Sequence, residues 1–166
     1  MRQSIVYFLA IVAWVFGTAL AHAESIYFED LKCENGKFGL ILPADLRDVK
    51  RLSADVIEKT VDVEEWPGYQ VTWKHLNFDG LALVVTEFSN DPARYMLVFA
   101  MVDDPKWNAI SPFKIMQPTS EAVALLGEVA LDNPELARAY ENEGSKLTIQ
   151  SNEGRVTKVI YNCFPG

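Results

Sequence analysis

The sequence predicts an α+β fold, in which an antiparallel β-sheet of about six to eight strands carries two or three short helices. Segments that alternate apolar and polar residues, rich in β-branched and aromatic side chains, recur along the chain. Only a few short stretches combine helix caps with a helical apolar stripe. The chain has 166 residues, 49% hydrophobic and 23% charged, so it can bury the core of one globular unit.

The first 23 residues have the features of a secretory signal peptide. Arg2 supplies a positive start, residues 5–16 are almost wholly apolar, and Ala21-His22-Ala23 has small residues at the two positions that signal peptidase reads. The apolar run is shorter than the roughly 20 residues that a spanning helix needs. We therefore expect cleavage of residues 1–23, a mature protein of residues 24–166 that is periplasmic or secreted, and no stable membrane insertion afterwards.

Five segments have the alternation typical of strands: residues 70–78, 81–88, 95–102, 146–150 and 155–163. Asp79-Gly80 and Glu153-Gly154 separate two pairs of these segments. Because glycine readily adopts the positive φ of a tight turn, both sites predict β-hairpins. The segment 95–102 is apolar at nearly every position, which predicts a central strand covered on both faces.

Three short segments carry helix signals. Residues 118–127 combine a Pro-Thr start, an early glutamate, an apolar stripe and a terminal glycine. A second helix is predicted after Asn133-Pro134, with Leu136 and Tyr140 on one face. Residues 45–53 have the apolar spacing of a third.

Cys33 and Cys163 are the two cysteines of the sequence. An even pair in an exported chain predicts a disulfide, which here would close most of the mature protein into one loop. No CxxC motif is present, and a thiol nucleophile needs an activating neighbour. We therefore expect a structural bridge and no cofactor.

The two halves of the chain share a pattern at an offset of 74 residues. Val49 aligns with Val123, and the hairpin glycine of one half aligns with that of the other. One interpretation is a tandem duplication of one helix-plus-hairpin module, with copies at about 24–97 and 98–166. The alternative is that apolar periodicity alone produces these matches.

Residues 115–163 contain a short strand, a Ser/Thr-Glu helix that ends in Leu-Gly, and a hairpin of the form Leu-x-Ile…Glu-Gly-x-Val-x-x-Ile. This order resembles the small α+β module of the SmpA group of outer-membrane assembly lipoproteins and of the secreted β-lactamase inhibitor proteins, which hold two such modules. The glycine that usually precedes the helix has no counterpart at Met116-Gln117, and the lipobox cysteine is absent. The resemblance implies binding to a protein partner rather than catalysis.

The chain is acidic, with 15 Lys and Arg against 23 Asp and Glu and a net charge of -8. This balance argues against a nucleic-acid partner and favours a basic protein. Two aromatic loops with acidic neighbours are the candidate binding sites, because Trp and Tyr often anchor interfaces. The alternative is that these rings cap the open ends of the core. The candidate residues are Glu64, Glu65, Trp66 and Tyr69 in the first loop and Asp103, Asp104 and Trp107 in the second.

Motifs of serine hydrolases, zinc proteases, phosphate-binding loops and calcium loops are missing from the sequence. His75 is the one histidine of the predicted mature chain, so it cannot form a multi-histidine metal site, and we expect a structural role on the strand face of Val71 and Trp73. Adjacent acidic residues on a strand point to opposite faces and cannot flank one glycosidic bond. Carboxylates from distant positions remain open.

These observations together predict a non-enzymatic protein-binding module. One form is an inhibitor of, or immunity protein against, a cell-wall-degrading or otherwise toxic enzyme. The alternative is an envelope accessory or structural protein that binds a membrane-assembly partner or a lipid. A small carboxylate-dependent hydrolase is a further alternative.

Overall fold

The computed structural model describes residues 26–27, 31–127, 138–141 and 144–163. Within them the elements are β1 (Ile26–Tyr27), α1 (Leu46–Val49), β2 (Ile57–Trp66), β3 (Tyr69–Phe78), β4 (Leu81–Phe88), β5 (Asp91–Val102), a 3-10 helix (Pro105–Trp107), α2 (Thr119–Leu125), β6 (Arg138–Glu141), β7 (Ser145–Asn152) and β8 (Arg155–Cys163). The predicted signal peptide and its cleavage site lie outside the described residues.

All eight strands belong to one sheet, in the order β1-β6-β7-β8-β5-β4-β3-β2. Every neighbouring pair is antiparallel except β1 and β6, which run parallel. The predicted architecture of an antiparallel sheet with few short helices is therefore confirmed at this level.

The five predicted strands all form, as β3, β4, β5, β7 and β8. Both predicted hairpins are present: Gly80 has φ +71° between β3 and β4, and Gly154 has φ +72° between β7 and β8. Strand β2 was not predicted. It has five charged residues in ten positions, which hide its alternation, and it is exposed along most of its length.

The helix predictions had mixed outcomes. Helix α2 falls inside the predicted segment 118–127, and α1 is shorter than the predicted segment 45–53, with Asp45 as its N-cap. The helix predicted to place Leu136 and Tyr140 on one face is wrong at Tyr140, which lies in β6 and pairs with Leu147 of β7 and Ile26 of β1. Pairing on both sides of β6 overrides the local helical spacing; residues 128–137 lie outside the described part of the chain.

The core lies on one face of the sheet. Side chains from the strands meet apolar residues of α1, α2 and the loops around positions 31–42 and 107–115. Along β5, Leu97, Ala100 and Val102 are buried in this core, whereas Phe99 and Met101 on the other face are half-buried. The predicted central position of this strand is confirmed, since β5 lies between β8 and β4. Of its two faces, the core face is fully covered and the other is only partly covered.

The predicted disulfide between Cys33 and Cys163 is confirmed. The bridge joins residues 130 positions apart and ties the segment before α1 to the end of β8. Disulfides persist in oxidising surroundings, so the bridge indicates a protein that works outside the cytosol. No helix among the described residues is long and apolar enough to cross a membrane.

The predicted duplication remains a prediction. At the offset of 74 residues, α1 falls on α2 and the β3–β4 hairpin falls on the β7–β8 hairpin. The same offset places β1 on β5, but these two strands have different positions in the sheet. Strand β5 lies between β4 and β8, whereas β1 lies at the edge beside β6.

Candidate binding surface

The first candidate loop is the tight turn between β2 and β3. Pro67 and Gly68 occupy its two central positions, and Gly68 has φ +91°, as a type II turn requires. Trp66 and Tyr69 close the turn as a cross-strand pair, and their rings stack with centroids 6.3 Å apart and planes 13° apart. Because Trp66 is 51% exposed, this pair presents an aromatic surface to the solvent.

The carboxylate of Glu64 holds two tryptophan rings in place. Glu64 Oε2 accepts a hydrogen bond from Trp66 Nε1 at 3.2 Å, and Glu64 Oε1 accepts one from Trp73 Nε1 at 2.9 Å. Both donors are neutral, and no Lys or Arg of the described residues forms an ion pair with Glu64. The carboxylate therefore orients both rings and has no cationic partner among these residues.

The aromatic surface continues across the sheet from the turn. The ring of Tyr69 lies 6.2 Å from the ring of Phe88 at the end of β4. The guanidinium carbon of Arg94 lies 4.9 Å from the centroid of Phe88, within the range of a cation–π contact. Trp66, Tyr69 and Phe88 thus form a row that we call the aromatic platform.

A cavity of about 310 Å³ opens beside the aromatic platform, on the sheet face opposite the core. It is lined by Val61, Asp62, Glu64, Trp73, His75 and Val84. Trp73 and His75 share this face of β3, as the sequence predicted. Two carboxylates beside an indole ring suit a cationic group, which gains both ionic and cation–π attraction there.

The second candidate loop has a structural role around Trp107. Trp107 is only 8% exposed, its Nε1 donates to the Asp79 backbone oxygen at 2.8 Å, and its ring meets Phe78 edge-on with centroids 5.5 Å apart. Lys106 also forms an ion pair with Asp79. The ring therefore caps the core, which is the alternative that the sequence left open, and it is not available as an exposed anchor.

The acidic residues of this loop are also engaged in holding it. Asp104 caps the 3-10 helix by accepting from the Lys106 backbone N–H at 2.8 Å, and the Asp103 N–H donates to the Gly80 backbone oxygen at 3.1 Å. A Cβ at Gly80 would lie 2.2 Å from the Cβ of Asp104. The loop is thus packed against the β3–β4 turn.

The structure does not bring the two candidate loops together. The first lies at the start of β3 and the second packs against the turn at its end. A strand of 10 residues spans about 30 Å. Only the first loop therefore places aromatic and acidic side chains together on one open face, through Glu64, Trp66 and Tyr69. Glu65 is exposed on the opposite face of β2, where its carboxylate accepts a hydrogen bond from Gln70 Nε2 at 2.5 Å.

Sequence reasoning missed an ion-pair cluster on the core side of β2, β3 and β4. Lys74 Nζ lies 2.7 Å from Glu58 and 2.5 Å from Glu87, and Lys50 Nζ lies 3.1 Å from Glu58. Burial opposes the charged form of Glu58, but its hydrogen bonds with Lys74 and Lys50 outweigh this and lower its pKa. Burial acts to lower the pKa of Lys74, but its hydrogen bonds to the two glutamates outweigh this effect and raise the pKa well above its usual range. The cluster is internally neutralised and structural.

A second cavity, of about 290 Å³, lies beside the disulfide. Glu34 lines it together with both cysteines, and burial raises the pKa of Glu34 while a hydrogen bond with Tyr95 acts in the opposite direction. The Tyr95 hydroxyl donates to the Pro43 backbone oxygen at 2.8 Å. The sequence predicted the cysteine pair, but it gave no signal that Glu34 lies beside the bridge or contacts Tyr95, because the fold brings these residues together.

The described residues contain no group of three or more His, Cys, Asp or Glu side chains placed to hold a metal ion. No family model matches the chain, and no curated protein or solved structure matches it either. The resemblance to the SmpA and β-lactamase inhibitor group therefore remains a prediction.

Proposed function

We propose that this chain is a non-enzymatic, periplasmic or secreted module that binds a basic partner protein through the aromatic platform and its acidic border. The observation that carries the proposal is the half-exposed Trp66–Tyr69 stack, held by Glu64 at the border of the sheet. An inhibitor of, or immunity protein against, a cell-wall-degrading or toxic enzyme is the form we favour.

The geometry of the platform supports a binding role on energetic grounds. A large aromatic side chain that is already fixed by stacking and by a hydrogen bond loses little rotamer freedom when a partner covers it. Trp66 has both restraints, one from the Tyr69 ring and one from Glu64. Aromatic anchors of this kind carry a large share of the binding energy at many interfaces.

The charge distribution supports a basic partner. Asp62 and Glu64 lie on the face of the platform, and Glu65 lies on the opposite face of the same strand. None of the three forms an ion pair with a Lys or Arg of the described residues. By contrast, Glu58 and Glu87 are neutralised within the ion-pair cluster. Uncompensated acidic groups at the border of an interface raise the association rate of a basic protein, and salt reduces the effect.

The experiment is affinity capture from the periplasmic or secreted fraction with the exported protein, followed by surface plasmon resonance on the captured partner. We expect a basic protein, and we expect Trp66→Ala to weaken its affinity roughly thirtyfold, as loss of a 2 kcal/mol anchor implies. Glu65→Gln should mainly slow association at low salt. The matched control is Ile41→Ala, since Ile41 is 61% exposed and its backbone N–H donates to Ile110, which packs against the core on the other side of the sheet from the platform.

Folding of each variant is checked by circular dichroism before binding is measured. The proposal fails if folded Trp66→Ala and Tyr69→Ala bind the partner with the affinity of the Ile41→Ala control. It also fails if the partner is acidic and its association rate does not depend on salt.

A further inference from the structure

Strand β2 forms a long open edge of the sheet. It is the last of the eight strands in the order and, within the described part of the chain, it pairs only with β3. It has 10 residues, whereas β1 at the opposite edge has two. An unpaired strand edge presents backbone N–H and C=O groups that another strand can use.

The hydrogen bonds of Gln70 on β3 show which backbone groups of β2 point toward the open edge. The Gln70 N–H donates to Ser89 Oγ at 2.8 Å, and its C=O accepts from the Ser89 N–H at 3.0 Å, so both groups point toward β4. Glu65 lies opposite Gln70 in the antiparallel register. Its N–H and C=O therefore point away from β3 and out of the sheet, because such pairs exchange no hydrogen bonds.

The direction of the backbone N–H and C=O groups alternates along a strand, so those of Val63, two residues before Glu65, also point away from β3. Its N–H donates to Asp62 Oδ1 at 2.8 Å, as expected for an amide that has no partner on β3. A β-bulge between Thr60 and Asp62 interrupts the register. Residues 62–66 therefore form the regular stretch of the open edge between the bulge and the β2–β3 turn.

The edge also exposes apolar side chains between its charged residues. Four of the seven exposed large apolar side chains of the described residues are on β2. These are Ile57 at 68% exposure, Val61 at 53%, Val63 at 48% and Trp66 at 51%. Short strands, charges and bulges normally protect open edges from pairing, and β2 has charges and a bulge. Its length and its exposed apolar side chains nevertheless leave the stretch beyond the bulge open to an added strand.

Charge distinguishes between the strands that this edge could receive. Strand β2 carries four acidic residues and one lysine, Lys59. A second copy of the chain, paired edge to edge, would place these acidic residues against one another, and like charges across strands are destabilising. A cationic strand would instead meet Asp62, Glu64 and Glu65, which have no ion-pair partner among the described residues.

We propose that residues 62–66 of β2 accept an extended, cationic segment of the partner protein as an additional strand of the sheet. The inference rests on the proposed function and specifies how the partner is held. The backbone of Val63 and Glu65 would supply the hydrogen bonds, with Asp62 releasing the Val63 N–H, while the acidic side chains would select for lysine or arginine.

The test uses an acetylated and amidated octapeptide of alternating lysine and threonine, added to the ¹⁵N-labelled protein and followed by amide hydrogen exchange. We expect the exchange of the Glu65 and Val63 amides to slow at least about tenfold at saturation. Glu65→Pro removes the outward N–H without breaking a bond to β3, and proline is tolerated at strand edges. It should weaken peptide binding about tenfold relative to Glu65→Gln, which removes only the charge.

A peptide of the same sequence with N-methylated amides leaves the protein unchanged, so it provides the same test if Glu65→Pro does not fold. The inference is overturned if this peptide binds as well as the unmodified one, if Glu65→Pro binds like Glu65→Gln, or if the peptide does not bind at all. Protection of Glu65 that rises with protein concentration alone would assign the edge to a second copy.

The same variants separate this inference from the proposed function. If Glu65→Pro still binds the captured partner like Glu65→Gln while Trp66→Ala does not, the platform binds the partner and strand addition is wrong. If neither variant affects the captured partner, both proposals fail.

Discussion

Truncation of Trp107 should destabilise the fold much more than truncation of Trp66, although the two residues have similar sequence surroundings. Trp107 is 8% exposed, packs edge-on against Phe78 and donates to the Asp79 backbone oxygen. Replacing a buried Trp by Ala costs about 3–5 kcal/mol, and the oxygen left without its donor adds to the loss. Trp66 is half-exposed and loses mainly its stack with Tyr69, about 0.5–1.5 kcal/mol.

Equilibrium unfolding in guanidinium chloride measures both free energies. We expect Trp107→Ala to lower the free energy of unfolding by at least about 2 kcal/mol more than Trp66→Ala does. Trp107→Phe, which keeps most of the ring and removes the N–H, should fall in between. Equal losses for the two alanine variants would refute the assignment of Trp107 to the core and of Trp66 to the surface.

Two further predictions concern stability. Replacing Cys33 and Cys163 by serine should lower the free energy of unfolding by about 2–5 kcal/mol, since the bridge closes a loop of 130 residues; an unchanged denaturation midpoint after reduction would contradict this. Gly80→Ala should destabilise the fold by at least about 1 kcal/mol more than Gly154→Ala. Both glycines have φ near +70°, but a Cβ at Gly80 meets Asp104 at 2.2 Å whereas one at Gly154 meets nothing within 4 Å. Equal thermal shifts for the two variants would show that the backbone alone sets the cost.

The features that could be predicted from the sequence are those that short segments determine. Alternation of β-branched and aromatic residues predicted five strands, because each strand has one face in the core. Gly80 and Gly154 predicted the hairpins because few other residues adopt their φ. The Cys33–Cys163 bridge was predictable because the chain offers only one pairing.

The features that could not be predicted depend on neighbours that are distant in sequence. Tyr140 has helical spacing from Leu136, yet it pairs with Ile26 and Leu147 in the sheet. Lys74 looks like an ordinary surface lysine of a strand, yet the fold places it against Glu58 and Glu87. Local periodicity contains no information on either arrangement.

The candidate site shows the same limit at the level of single residues. A tryptophan beside a turn and two acidic residues describes both Trp66 and Trp107, so sequence reasoning assigned them one role. The structure separates them because the 3-10 helix that contains Trp107 packs against the β3–β4 turn. There the Asp79 backbone oxygen accepts the indole N–H of Trp107. The first turn has no such cover among the described residues, and Trp66 bonds to Glu64 on its own strand instead.

The two proposed kinds of recognition use different residues of β2, because these residues alternate in what they expose. Glu64 and Trp66 use their backbone groups in the ladder with β3, and their side chains form the cavity wall and the platform. Val63 and Glu65 have the opposite arrangement, with their backbone groups directed to the open edge. Side-chain binding and strand addition therefore depend on different positions of one strand, so a substitution at Trp66 and a proline at Glu65 perturb them separately.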